Sequence, residues 1–352
     1  MQPIDRRDFI RAAGLAAVAL PARAAQEKVR VGVFGTDHSH VRSKMTALRS
    51  LQEFEVVAAH EPDPELLEQR QGEELFEGVK WVSEEALLND SSLDMILVEC
   101  RISQALPMGR KVLDAGKHLH LEKPPSPDLE PFREFVEEAK SKKLLLQLGY
   151  NYRFHPCIGG AIEAAKRGWL GDVYQLRAVM NSDRGPEQRA KEAQYPGGAF
   201  FELMGHMVDR AVELFGRPNS VQSWLRHDTS VDDNLADNTL AVYEYDNALA
   251  LISTSARMPN SSQHRSFELI GSDGSMFIQP ISGRRTMRVN MREAHGPYKQ
   301  GWQEIEFEPH PFDVYEFKDF ARAIRTGEPL KYSYDHELLV HETLLRGSGH
   351  IS

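Results

Sequence analysis

The sequence predicts an α/β protein. A Rossmann-type, doubly wound parallel sheet comes first, followed by an α+β domain on a large, mostly antiparallel sheet. Three observations carry this. Short β-branched apolar runs alternate with helical patterns between residues 29 and 148, the order that buries a parallel sheet between two helix layers. After Tyr150 the chain switches to a block of period-two segments, the pattern of antiparallel strands with one covered face. With 352 residues there is length for two domains, each with its own core.

Taken in order, Val29 to Phe34 reads as a buried strand entering the turn Gly35-Thr36-Asp37, and Ser39 to Leu51 as a helix. Phe54 to Ala59 is the second strand and Pro64 to Glu77 a helix. Lys80 to Ser83 is a short strand, and Ser83 N-caps a helix through Leu88. Leu93 to Val98, His118 to Leu121 and Leu144 to Leu148 complete the strands, with helices over Leu106–Ala115 and Leu129–Lys142 between them. In the second half, helices are predicted at Pro156–Arg167, Ala199–Phe215, Pro311–Thr326 and Asp335–Leu345. Strands alternate at 174–180, 221–226, 239–245, 248–255, 266–270, 275–279, 286–290 and 304–307, with turn signals such as Tyr245-Asp246-Asn247 between them.

Composition excludes several classes. No apolar run approaches the ~20 residues of a membrane span. A net charge of −10 and the lack of a basic, aromatic-laced patch argue against nucleic acid as a partner. Cys100 and Cys157 form no CxxC pair; two buried thiols are expected, a single bridge being the alternative. At the N-terminus, Arg6-Arg7 before Phe9-Ile10, an apolar stretch from Ala12 to Leu20 and the small-x-small site at Ala22-Arg23-Ala24 have the order of a twin-arginine signal peptide. An amphipathic first helix is the competing reading. A signal over 1–24 predicts export by the twin-arginine machinery to the periplasm or beyond. It divides the rest into a dinucleotide-binding domain (25–150) and a substrate and oligomerisation domain (151–352).

Several residues could carry chemistry. The first strand–turn–helix is where a dinucleotide diphosphate sits on backbone N–H groups. Counting from Gly35, the other two glycine positions hold Asp37 and His40, and a carboxylate close to a diphosphate is unfavourable. Thr36 and His38 line the same turn. Glu61, 26 residues past Gly35, suits the ribose hydroxyls and favours NAD over NADP; a solvated loop carboxylate is its alternative. His38 and His40 form an H-x-H pair, but no cysteine or carboxylate lies nearby at ligand spacing, so no metal site is expected. Glu122-Lys123-Pro124 ends a parallel strand, where open α/β sheets bind ligands; Lys123 either holds a substrate hydroxyl or is an exposed loop lysine. Glu202, His206 and Asp209 fall on one face of a helix. Such a stripe could orient an imidazole base, or His206 could simply tie the helix to the sheet.

These pieces together resemble the glucose–fructose oxidoreductase/inositol dehydrogenase (Gfo/Idh/MocA) family. The resemblance rests on Ala115-Gly116-Lys117-His118 leading into Glu122-Lys123-Pro124, on Tyr150 to Phe154, on Gly168-Trp169-Leu170-Gly171, on Gly197 to Asp209, and on Glu316 to Phe320. It implies a nicotinamide cofactor, NAD with NADP as the alternative, held by Gly35, Thr36, Asp37, His38, Glu61, Glu122 and Lys123. It implies a sugar or polyol substrate, with Lys123, Glu202 and His206 catalytic and Arg153 and Asp209 binding substrate, and a homo-oligomer formed through the sheet. The sequence departs from the family pattern at Asp37 and His40, at Cys100-Arg101 and Ala105, at Glu202 in place of aspartate, and at Met204-Gly205, where the glycine is shifted by one. Three functions follow: an exported oxidoreductase, an NAD-dependent glycoside hydrolase or lyase working by transient oxidation and elimination, or a non-catalytic carbohydrate binder.

Overall fold

Alternation of apolar strands with amphipathic helices lays down β1 (Val29–Thr36), α1 (Val41–Ser50), β2 (Phe54–His60), α2 (Pro64–Gln71), β3 (Lys80–Trp81), α3 (Glu84–Leu88), β4 (Met95–Glu99), α4 (Ile102–Asp114), β5 (His118–Leu121), α5 (Leu129–Ser141) and β6 (Leu146–Leu148). The computed structural model describes residues 28–282, 286–308 and 312–351, so the twin-arginine reading of residues 1–24 lies outside the described residues. All pairings in this first sheet are parallel, in the order β3-β2-β1-β4-β5-β6. The order reverses at β1, and the crevice beyond the carboxyl ends of β1 and β4 is where such sheets bind ligands.

The second half supplies α6 (Pro156–Lys166), β7 (Val173–Val179), α7 (Pro186–Glu192), α8 (Ala199–Leu203), α9 (Gly205–Phe215), β8 (Ser220–Arg226), β9 (Asn238–Tyr245), β10 (Ala248–Ser255), β11 (Ser266–Gly271), β12 (Gly274–Ile278), β13 (Thr286–Met291), β14 (Gly301–Glu306), α10 (Phe312–Thr326) and α11 (Tyr334–Gly347). Its eight strands run β14-β13-β12-β11-β7-β10-β9-β8. Among the described residues of this sheet, only β7 and β10 pair in parallel. Along β9 and β10 alternate residues are buried, among them Ala241, Tyr243, Ala250 and Ile252, while Trp224 and Trp302 stand exposed on the two edge strands.

α10 does not stay with the second sheet. Its Phe317, Phe320 and Ala321 join Val31, Val33, Met45, Leu48, Met95 and Leu97 in one core on the first sheet. A division at residue 150 therefore separates the sheets but not the chain. The helix from Pro64 ends at Gln71 rather than running to Glu77. Gly72 closes it, and residues 74–76 form a separate 3₁₀ turn. α4 starts at Ile102, four residues before its expected start. Pro107 sits inside this helix. α7 was not expected, although Pro186 at its first position and Glu187 in its first turn are ordinary start signals. Cys100 and Cys157 are both buried.

Phe317, from the second half of the chain, is fully buried in the core of the first sheet. Phe317→Ala is expected to cost about 3–5 kcal/mol, read as a lower urea midpoint with dinucleotide-domain and second-domain probes shifting together.

Candidate active site

Gly35 ends β1 with φ +77°, a conformation that favours glycine. A Cβ there would lie 3.0 Å from Met108 Cε and 3.4 Å from the Glu99 carbonyl oxygen. Glu61, buried at the end of β2, fixes this turn. Its Oε2 accepts from the Thr36 N–H at 2.6 Å and the Thr36 hydroxyl at 2.7 Å, and its Oε1 accepts from the Asp63 N–H at 3.0 Å. The solvated-loop reading of Glu61 is thereby replaced. α1 has no side-chain cap and no acidic residue in its first turn, which leaves its N-terminal N–H groups suited to a diphosphate. Asp37 does not face that end as an unpaired charge: its Oδ2 accepts from Arg101 Nε at 2.6 Å. Two departures from the family pattern thus neutralise one another, and the turn fits a dinucleotide.

Lys123 leaves the carboxyl end of β5 and is 2 % exposed, not a loop lysine in solvent. Its Nζ donates to the Glu202 carbonyl at 2.9 Å and to Glu202 Oε1 at 2.8 Å. The other Glu202 oxygen accepts from Arg184 Nη2 at 2.6 Å. Burial alone would raise the Glu202 carboxyl; Lys123 and Arg184 outweigh it and hold it well below the usual range. Arg184 also pairs with Glu192 at 3.0 Å. Burial, and then the charge of Glu202, push Glu192 up to about 7. Arg184 and Glu192 escaped sequence reasoning because α7 did; the Pro186-Glu187 start was the available signal.

The expected Glu202–His206–Asp209 stripe does not form. The helix breaks at Met204 between α8 and α9, and Glu202 turns to Lys123 and Arg184 instead. The break lets Gly205 lie against Tyr150, where a Cβ would come within 2.7 Å of Tyr150 Cε1. His206 packs between the rings of Tyr150 and Tyr152, with its centroid 6.4 Å from that of His40. Its Nδ1 is buried without a hydrogen-bond partner among the described residues. Burial, then the charges of Lys123 and His40, hold its pKa well below the ordinary histidine value, so the ring is neutral at pH 7.

Arg153 and Asp209, expected to bind substrate, are a correction. Arg153 is bidentate to Glu337 at 2.6 Å and bonds Asp209 Oδ1 at 2.9 Å. Asp209 further accepts from Arg210 and lies 2.8 Å from His336 Nε2. Asp209 is fully buried and Arg153 nearly so. Their charges tie the 3₁₀ turn Asn151–Phe154, α9 and α11 together and have no free edge for a ligand among the described residues.

Behind Lys123 lies a buried charge cluster. Lys44 Nζ sits 3.2 Å from His120 Nε2, 3.6 Å from Glu316, 3.7 Å from Glu122 and 3.8 Å from Glu99. Burial opposes its charge, and the three carboxylates outweigh burial to raise its pKa. Burial and the charge of Glu122 raise Glu99 well above the usual range. Gly149 makes room: a Cβ there would meet Lys44 Nζ at 2.6 Å. The carboxylate that the H-x-H pair lacked in sequence arrives 82 residues later. His40 Nδ1 lies 3.0 Å and His38 Nδ1 3.8 Å from Glu122 Oε1.

A parallel sheet with a glycine turn at its switch point, facing a lysine–glutamate–histidine cleft, defines a dinucleotide-domain protein with a polar site between two domains. Two family models match this chain: "Oxidoreductase family, NAD-binding Rossmann fold" over residues 29–150 and "GFO/IDH/MocA C-terminal domain" over residues 161–277. The chain belongs to the GFO/IDH/MocA oxidoreductase family. It is 31% identical over 201 residues to an uncharacterized oxidoreductase of Schizosaccharomyces pombe, covering 56% of this chain and 54% of that protein. It is 23% identical over 248 residues to scyllo-inositol 2-dehydrogenase (NAD(+)) of Bacillus subtilis, covering 69% and 70%. The chain thus matches about half the length of the first of these curated relatives. In fold it is similar to GenD2 from gentamicin A biosynthesis in complex with NAD, with TM-score 0.75, 22% identity and coverage of 91% and 93%.

Removing the ammonium at position 123 removes a charge that depresses the pKa of His206 and leaves Glu202 less compensated. Both changes favour imidazolium. Lys123→Met is expected to move the His206 titration upward towards 6.5, followed by NMR of the imidazole protons.

Proposed function

We propose that this chain is an exported NAD(P)-dependent oxidoreductase acting on a sugar or sugar-like polyol, with a retained cofactor. The convergence of Lys123, Glu202 and His206 beside the glycine turn carries the reading. Support comes from the NAD complex of a protein with the same fold, and from a relative whose name specifies an inositol and NAD. Gly35, Thr36 and the uncapped start of α1 would hold the diphosphate, and Glu61 would meet the ribose hydroxyls beside the turn. When bound, the nicotinamide supplies hydride acceptance from the substrate carbon. His206, neutral at pH 7, takes the hydroxyl proton as the alcohol is oxidised. Lys123 donates a hydrogen bond to the reacting oxygen. Glu202 is a positioning residue, holding the Lys123 ammonium in the cleft. Tyr150 and Tyr152 exclude water from one side of His206.

A second reading is favoured by Glu192. A carboxyl that titrates near neutrality, linked through Arg184 to the Lys123–Glu202 pair, suits a further proton transfer. Oxidation at one sugar carbon acidifies the neighbouring C–H, and loss of that proton permits elimination of an aglycone. Product analysis separates the two: an oxidised sugar that requires an acceptor supports oxidation, whereas an aglycone released without one supports elimination.

Turnover on a panel of inositols and aldoses, with NAD or NADP followed by absorbance, tests the reading. His206→Ala is expected to lower kcat by about 10²–10⁴-fold while dinucleotide binding is kept. The depressed pKa of His206 sets the sign of the pH profile. The base form persists through neutrality, so kcat/KM falls only as pH drops below 6.5 through that depressed value. No dinucleotide binding to the purified chain would overturn the proposal. For export, Arg6→Lys with Arg7→Lys is expected to leave the uncleaved precursor inside the cell, read by fractionation and N-terminal mass. Unchanged export would refute the twin-arginine assignment.

A further inference from the structure

We propose that His38, His40 and Glu122 form a binding site for a divalent cation of the zinc type. Two imidazoles and one carboxylate with an open fourth position is a donor set that zinc uses in catalytic centres. Each residue offers one ligand atom, and these atoms lie within 4.8 Å of one another. Ligands about 2.0–2.2 Å from a tetrahedral zinc stand roughly 3.3–3.6 Å apart. The His40 Nδ1–Glu122 Oε1 distance of 3.0 Å and the His38 Nδ1–Glu122 Oε1 distance of 3.8 Å bracket that edge. Side-chain rotation would release the hydrogen bond that His38 Nδ1 accepts from the His40 N–H at 3.3 Å.

The second observation is the set of carboxylate oxygens around the pair. Glu99 is fully buried with Oε2 3.9 Å from His38 Nδ1. No N–H or hydroxyl group among the described residues donates to either of its oxygens or to Glu122 Oε2; the Glu99 carboxyl, its pKa raised by burial and by Glu122, is hydrogen-bonded to Glu122 instead. A cation between these groups would take the place of that proton beside two adjacent buried carboxyls. Lys44 and Lys123 approach Glu122 only to 3.7 Å and 3.9 Å, beyond hydrogen-bond distance. Entry is open, because the side chains of His38 and His40 are 20% and 31% exposed. The turn that carries His40 at a glycine position, with His38 two residues before it, thus has a chemical use. A cation here would lie beside His206 and Lys123, within the same cleft, and its binding does not depend on the dinucleotide reading.

The test uses the full chain, untagged and freed of metal by a chelator. Titration with Co²⁺ is followed by the visible absorption of the tetrahedral ion, with Zn²⁺ as competitor. One saturable Co²⁺ per chain, displaced by Zn²⁺, is expected. Binding should weaken by more than ~100-fold in His38→Ala, His40→Ala and Glu122→Gln, since even outer-shell changes cost about 10–100-fold in metal affinity. His264→Ala, at an exposed histidine outside the cluster, should bind as the parent does. Circular dichroism on each variant identifies any that fail to fold, and the half-exposed His38 and His40 positions keep the test intact if Glu122→Gln does not fold. No saturable Co²⁺ binding, or binding unchanged in folded His38→Ala and His40→Ala, overturns the proposal. Calorimetric titration of NAD into the same metal-free protein tests the oxidoreductase reading separately, so the two can fail independently.

Discussion

The pairing of Lys123 with Glu202 is the interaction on which the rest of the site depends. One partner leaves the carboxyl end of a strand in the first sheet, and the other sits on a one-turn helix above the second. A buried ammonium is tolerated only when paired and hydrogen-bonded. Lys123 meets both a carboxylate and a backbone carbonyl of the same residue. That double attachment fixes the height of α8 over the first sheet. It thereby fixes His206, which follows at the start of α9. Arg184 completes the carboxylate from the other side, so the cleft has a rigid, charge-compensated floor before any ligand enters.

The same rule of compensation runs through the interface between the domains. Arg153 is shared by Glu337 and Asp209, and Lys44 by three carboxylates and His120. Pairs of this kind contribute little net stability over well-packed apolar side chains, but removing one partner leaves an uncompensated charge, which is costly. Their service here is alignment. Each network ties elements far apart in sequence, residues 151–154 with α9 and α11 in one case and α1 with β5 and α10 in the other. α10 adds the apolar counterpart by placing Phe317 and Phe320 in the core of the first sheet.

The sheets were legible because their signals are local. Apolar runs such as Met95 to Val98 and the alternation of Ala248 to Ser255 follow from which faces are buried. Lys123 and Glu61 were singled out because they stand at strand ends beside the switch point, where open α/β sheets bind ligands. What sequence did not disclose were meetings between distant residues and breaks in local pattern. Glu202 and His206 are four apart, which on an unbroken helix means one face. The tight contact of Gly205 with Tyr150 and the break at Met204 depend on tertiary packing. Arg153 and Asp209 were placed in the cleft by the family resemblance, and nothing local shows that Glu337, 184 residues beyond Arg153, pairs with it. The His38–His40 pair looked partnerless for the same reason.

The departures from the family pattern make physical sense only in pairs. Asp37 in a phosphate turn is unfavourable alone, but Arg101, itself a departure, neutralises it from the start of α4. Glu202 is one methylene longer than aspartate, and it spans Lys123 on one side and Arg184 on the other. Met204 takes the position of the glycine, and Gly205 supplies the small residue one step later, against Tyr150. His40 replaces the third glycine and finds Glu122 within hydrogen-bond distance. A merely degenerate site would accumulate substitutions with no regard for one another, leaving charges without partners and bulk without space. In this chain Asp37, His40, Arg101, Glu202 and Gly205 each meet a group of matching charge or shape, which is what a working cleft adapted to its own ligand requires.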